Sequence, residues 1–92
     1  MKSKDFYKKL KITLEESTTF PTKYLYKFIV PTKGDGIEEI ESFFDKMGAV
    51  ITTKESSKGT YTSVSILVEM DSADLVIEKY KEIATVEGVI SL

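Results

Sequence analysis

The side chains able to do chemistry in this chain are carboxylates, lysines, tyrosines and hydroxyls. His, Cys, Arg, Asn, Gln and Trp are all missing. Structural zinc sites draw on thiolate and imidazole, and iron–sulfur clusters on thiolate, so neither metal chemistry is expected. Ser-His and Cys-His nucleophilic pairs cannot be assembled. All 13 basic residues are lysines, so no guanidinium fork is available for carboxylate or phosphate. A paired-carboxylate acid–base mechanism remains open on composition alone. The acids, however, cluster on helix faces, where a solvated surface is the default. The expectation is a protein that is not an enzyme and carries no cofactor or metal.

The densest run of donors is Ser56-Ser57-Lys58-Gly59-Thr60-Tyr61-Thr62-Ser63-Val64-Ser65. Its second half alternates, with Thr62, Val64, Ile66, Val68 and Met70 on one face and Tyr61, Ser63, Ser65, Leu67 and Glu69 on the other. That two-residue period predicts a strand over 60–70 with one buried face. Gly59 tolerates positive φ, so Ser57-Lys58-Gly59 reads as a hairpin loop. An anion-binding reading of this Lys-Gly tip is weaker than a plain turn. The candidate ligand or partner surface is Lys58 at the tip, with Lys27, Lys54, Tyr61, Ser63 and Ser65 on the strand face left uncovered.

The remaining elements must position that face. Residues 3–16 predict a helix capped by Ser3, with Phe6, Leu10 and Leu14 as an apolar stripe and lysines around the rest. Lying on a membrane is the lesser reading of this helix, since Asp5, Glu15 and Glu16 dilute its charge. Phe20-Pro21 belongs to a connector in which Phe20 anchors the chain to the core. A first strand runs from Lys23 to Val30. Both of its faces carry apolar residues, which predicts a central strand. A helix over 36–47 stops at Gly48. The preceding Gly34-Asp35-Gly36 lacks the Gly-Lys-Ser/Thr ending of a phosphate loop and carries a repelling acid. A polar edge strand covers 49–57. Asp71 caps a last helix whose buried stripe is Leu75, Val76, Tyr80, Ile83 and Ala84. A short final strand, 89–92, follows Gly88.

The order β-α-β-β-α-β predicts an α+β fold: a ferredoxin-like sandwich, with a four-stranded antiparallel sheet, two helices on one face and an added N-terminal helix. Right-handed crossovers put strands one and three at the centre. The chain divides into an N-terminal helical extension and connector, 1–19, and a single domain, 20–92. Its hydrophobic fraction of 41% allows one core. No apolar run reaches membrane-spanning length, and no apolar core follows the lysine-rich start, so neither a membrane span nor a signal peptide is expected. The absence of cysteine fits a cytoplasmic protein.

These residues also carry a resemblance. Phe20-Pro21, Tyr26-Lys27, the Ser56-Ser57-Lys58-Gly59-x-Tyr61-x-Ser63-Val64-Ser65-Ile66 run and the closing Gly88-Val89-Ile90-Ser91-Leu92 resemble the YbeD-like family of small bacterial proteins, a domain of unknown function. The resemblance implies a ferredoxin-like, ACT-domain-like fold and a family-level link to lipoate metabolism or regulation. It brings no catalytic residues. The longer segment at 3–19 and the Val30-Pro31 step, where the family often has glycine, depart from it.

Three functions follow in order. The first is a non-catalytic binding or regulatory module for a protein partner or small ligand, with a homodimer as one form. The second is RNA binding through the open sheet face. Ser63 and Ser65 stand where stacking rings are wanted, and the net charge of −2 disfavours nucleic acid. The third is an enzyme. Acylphosphatases share the topology, but the arginine and asparagine of their mechanism have no counterpart here.

Overall fold

The computed structural model describes residues 2–92, with side chains from residue 4 onward. The elements in chain order are α1 (Lys2–Ser17), β1 (Thr22–Pro31), α2 (Gly36–Phe43), β2 (Val50–Glu55), β3 (Tyr61–Met70), α3 (Ala73–Ile83) and β4 (Ile90–Ser91). The four strands form one sheet in the order β2-β3-β1-β4, every neighbouring pair antiparallel. The expected ferredoxin-like α+β fold is therefore present, with β1 and β3 at its centre.

Strand pleat decides which residues enter the core. Tyr26, Phe28 and Val30 of β1 are buried, as are Thr62, Val64, Ile66, Val68 and Met70 of β3. They pack with Ile40 and Phe44 from the α2 segment and Val76 and Ile83 from α3. All three helices lie on that side of the sheet. α1 packs on α3 and contributes Leu14 to the core, so the N-terminal helix docks on the domain. Phe20 packs against the same cluster, as an anchor should.

Several boundaries differ from the sequence expectation. The cap assigned to Ser3 falls on a side chain outside those described. α2 stops at Phe43, not 47. Turns occupy 44–48, with Lys46 at φ 63° and Gly48 at φ 71°, so the backbone leaves the helical region before the glycine. β2 is shorter than 49–57, ending at Glu55, where the Ser56–Gly59 turn begins. Ser72, not Asp71, caps α3: its Oγ accepts from the Leu75 N–H at 3.2 Å. The buried stripe of α3 is Ala73, Val76, Ile77 and Ile83, whereas Leu75 and Ala84 are exposed. Ile77 is covered because α1 lies over that side of α3, which helical periodicity in α3 alone does not report.

Candidate functional site

The sheet face away from the helices is uncovered, and strand register arranges its residues in rows. Lys54, Ser63, Ile29 and Ile90 form one row across all four strands. Thr52, Ser65 and Lys27 form the next. Val50, Leu67 and Leu25 form a third. Tyr61 stands opposite Pro31 at the hairpin end.

The sequence-derived residues divide on this map. Lys54, Tyr61 and Ser63 come together with Ile29 around a shallow concavity of about 470 Å³. Ser63 Oγ donates to the Lys54 carbonyl at 3.3 Å, tying β3 to the edge strand. The Tyr61 N–H donates to Ser56 Oγ at 3.2 Å and fixes the hairpin entrance. Lys27 and Ser65 are partners one row away, outside the concavity. Lys58 sits in the exposed hairpin turn beside Gly59, at φ 74°, and does not line the concavity either. Ammonium, phenol and hydroxyl groups here supply hydrogen-bond donors for a bound group.

Sequence reasoning missed the apolar part of this face. Leu25 is 51% exposed, Leu67 37% and Val50 63%, side by side across three strands. Ile90 is exposed beside Ile29. The signal was available: both faces of β1 are apolar. A central position explains the buried face, but only one helix layer exists, so the second apolar face stays open to water.

On the helix side a tyrosine cluster is built for structure. Tyr26 Oη donates to the Val76 carbonyl at 3.1 Å, and the Tyr24 and Tyr80 hydroxyls share a hydrogen bond of 2.8 Å. Burial, with the neighbouring tyrosines, raises the pKa of Tyr26 and Tyr80 well above the ordinary phenol value. Both stay protonated at neutral pH and act as hydrogen-bonding core residues.

A further concavity of about 540 Å³ lies at the β1–α2 loop, with Asp35, Glu39 and Glu87 among its lining residues. Three carboxylates against Lys33 suit a phosphate poorly, in keeping with the plain-turn reading of Gly34-Asp35-Gly36. Among the described residues no cluster of three metal-ligating side chains occurs, and no helix is long and apolar enough to cross a membrane.

The arrangement of strands and helices defines an ACT-like member of the ferredoxin-like class. The ACT domain from the GTP pyrophosphokinase of Chlorobium tepidum superposes with a TM-score of 0.54 at 17% identity, covering 77% of this chain and 100% of that one. At that identity the likeness concerns the fold. The family follows from the sequence comparison. Residues 15–92 match the family described as Protein of unknown function (DUF493), and the chain belongs to it. The YbeD-like resemblance thus holds.

Among its relatives, a UPF0250 protein of Haemophilus influenzae is 39% identical over 80 residues, spanning 83% of this chain and 86% of the relative. A UPF0250 protein of Shewanella sediminis is 35% identical over 78 residues, spanning 82% and 89%. One from Shewanella amazonensis is 33% identical over 90 residues, spanning 87% and 94%. The family match begins at residue 15, so most of α1 precedes it.

Proposed function

We propose that this protein is a non-catalytic binding or regulatory module whose working surface is the uncovered sheet face. One observation carries the reading. The Leu25–Leu67–Val50 row and the Ile29–Ile90 pair leave apolar surface in water on a sheet whose two central strands bury their other face under the helices. Exposed apolar patches rimmed by polar groups mark interaction surfaces. Lys54, Tyr61 and Ser63 border the Ile29–Ile90 pair, Lys27 and Ser65 lie between it and the leucine row, and Lys58 extends the polar set at the hairpin tip. The ACT-like fold supports a module that binds a protein or a small ligand. A second copy of the chain is one candidate partner, engaged through the β2 edge or this face.

The test compares wild type with Leu25→Thr/Leu67→Thr, which removes the apolar surface without placing like charges opposite each other. Both side chains stand on the open face, so the variant keeps its melting temperature. Immobilised wild-type protein should retain a reproducible protein or metabolite from cell extract that the variant fails to retain. Equal retention by the two proteins removes the face from the function. Light scattering across a concentration series tests the second copy: a strict monomer at high concentration eliminates it.

A further inference from the structure

Lys4, Tyr7, Lys8 and Lys11 recur at helical spacing along one face of α1, and that face meets α3. α3 answers with Asp74, Ile77 and Lys81, again one helical face. The two stripes run in opposite directions. Lys11 Nζ is 2.9 Å from Asp74 Oδ1 near the start of α3, and Lys81 Nζ stands 5.7 Å from the centre of the Tyr7 ring near its end. Between them is a concavity of about 210 Å³.

Four ammonium groups and one carboxylate line it. The carboxylate is committed: its hydrogen bond and charge, followed by the charge of Glu15, raise the pKa of Lys11. Lys4, Lys8 and Lys81 have no carboxylate at ion-pairing distance among the described residues. Lysines scattered on a solvated surface point away from one another. These come from two helices to line one concavity, in a chain whose net charge is −2. A concentration of like charge in a concave site focuses a positive field and favours an anion there.

We propose that the α1–α3 groove binds a small phosphate-bearing anion of two or more negative charges, held by Lys4, Lys8 and Lys81, with Tyr7 in the wall. Each ammonium offers three donors and no acceptor, which matches the acceptor-only oxygens of phosphate. A single negative charge leaves most of the groove's charge unneutralised. The volume falls below the roughly 300 Å³ at which sites for drug-sized ligands begin. It therefore has room to hold one or two phosphoryl groups and leaves the rest of any larger ligand in solvent. Lys4, Lys8 and Lys11 all precede residues 15–92, so the α1 wall of the site lies outside the matched family segment, while Asp74, Ile77 and Lys81 lie within it. It is also independent of the sheet-face reading, since it lies on the helix side.

The experiment titrates the full-length protein with inorganic pyrophosphate by calorimetry, and separately with phosphatidylglycerol-containing vesicles against phosphatidylcholine vesicles. Lys8→Glu/Lys81→Glu reverses two charges in the groove. Lys33→Glu/Lys46→Glu makes the same change in net charge near the ends of α2. Circular dichroism confirms that both are folded, and Lys4→Ala/Lys8→Ala serves as a milder groove variant. Pyrophosphate should saturate at one per chain, with the groove reversal weakening it by about tenfold or more and the control pair by less than about twofold. The same variant pattern with vesicles and not with pyrophosphate assigns the phosphate to a lipid headgroup. No saturable binding in either titration overturns the site. So does equal weakening by the two charge-reversed pairs, which is the response to overall charge alone.

Discussion

Gly88→Ala should be among the most damaging small changes possible in this chain. Gly88 lies in the turn between α3 and β4 at φ 76°, a backbone state that costs an ordinary residue about 1–2 kcal/mol. A Cβ there would stand 2.9 Å from Pro31 Cγ and 3.1 Å from Pro31 Cδ. Those atoms belong to a rigid ring at the end of β1, so the contact cannot be relieved by a rotamer change. Overpacking of this kind adds about 1–3 kcal/mol. The expected loss is therefore about 2–5 kcal/mol, a large share of the stability of a domain this size. Gly48 provides the control. Its φ is 71°, but a Cβ added there would meet nothing within 4 Å, so Gly48→Ala should lose about 1–2 kcal/mol from backbone strain alone. Urea denaturation of the two variants, compared at constant m-value, isolates the contact with Pro31. If Gly88→Ala is no more destabilising than Gly48→Ala, the steric reasoning fails. The same variant should disturb the open face, because the turn delivers Ile90 to its place beside Ile29. Chemical shifts of Ile29 and Ile90 report this directly.

Three further outcomes are expected. Ser72→Ala should cost about 1 kcal/mol through loss of the α3 cap, while Asp71→Ala leaves stability nearly unchanged; thermal melts of the pair decide between adjacent candidates. Raised phenol pKa values in the folded state mean that the unfolded chain releases those protons first. Stability from Tyr26 and Tyr80 is thus fully present below about pH 10, the unfolded phenol value, and lost as pH rises beyond it. Urea midpoints between pH 8 and 11 should fall only on the alkaline side, and Tyr26→Phe should flatten that fall. Ile66→Ala, fully buried on a central strand, should cost about 2–5 kcal/mol, whereas its neighbour Leu67→Ala, on the open face, should cost less than about 1 kcal/mol; chemical denaturation measures both.

The sheet was the most legible part of the sequence. In β3 the alternation from Thr62 to Met70 reports directly which side chains the pleat turns inward, and every one of those residues is buried. The apolar residues on both sides of β1 announced its central position. Helix ends were less legible because they depend on backbone angles at single residues. Phe43, Phe44 and Met47 keep helical spacing, yet the chain leaves the helix at Phe44 and crosses positive φ at Lys46. In α3 the set Ala73, Val76, Ile77 and Ile83 depends on α1 as well as on the sheet, a contact between elements distant in sequence. For the candidate surface, polar residue types drew attention to Lys54, Tyr61 and Ser63, which the structure does gather. Leu25 and Leu67, two rows away, carry no polar signal, and apolar residues on a strand are ordinarily assigned to a core. Lys58 is separated from the concavity by the turn that presents it.

The docking of α1 divides the molecule by strength. Among its described residues Leu14 is the one buried in the core, and the Lys11–Asp74 ion pair is exposed and so contributes little. The sheet and the other two helices share a far denser set of buried neighbours. Amide protons of α1 should accordingly exchange through a local opening of the helix well before those of β1 and β3, which require global unfolding. The groove lined by Lys8 and Lys81 exists only while α1 is closed. Any occupant of that groove therefore acts as a latch, and slowed exchange confined to α1 is its signature.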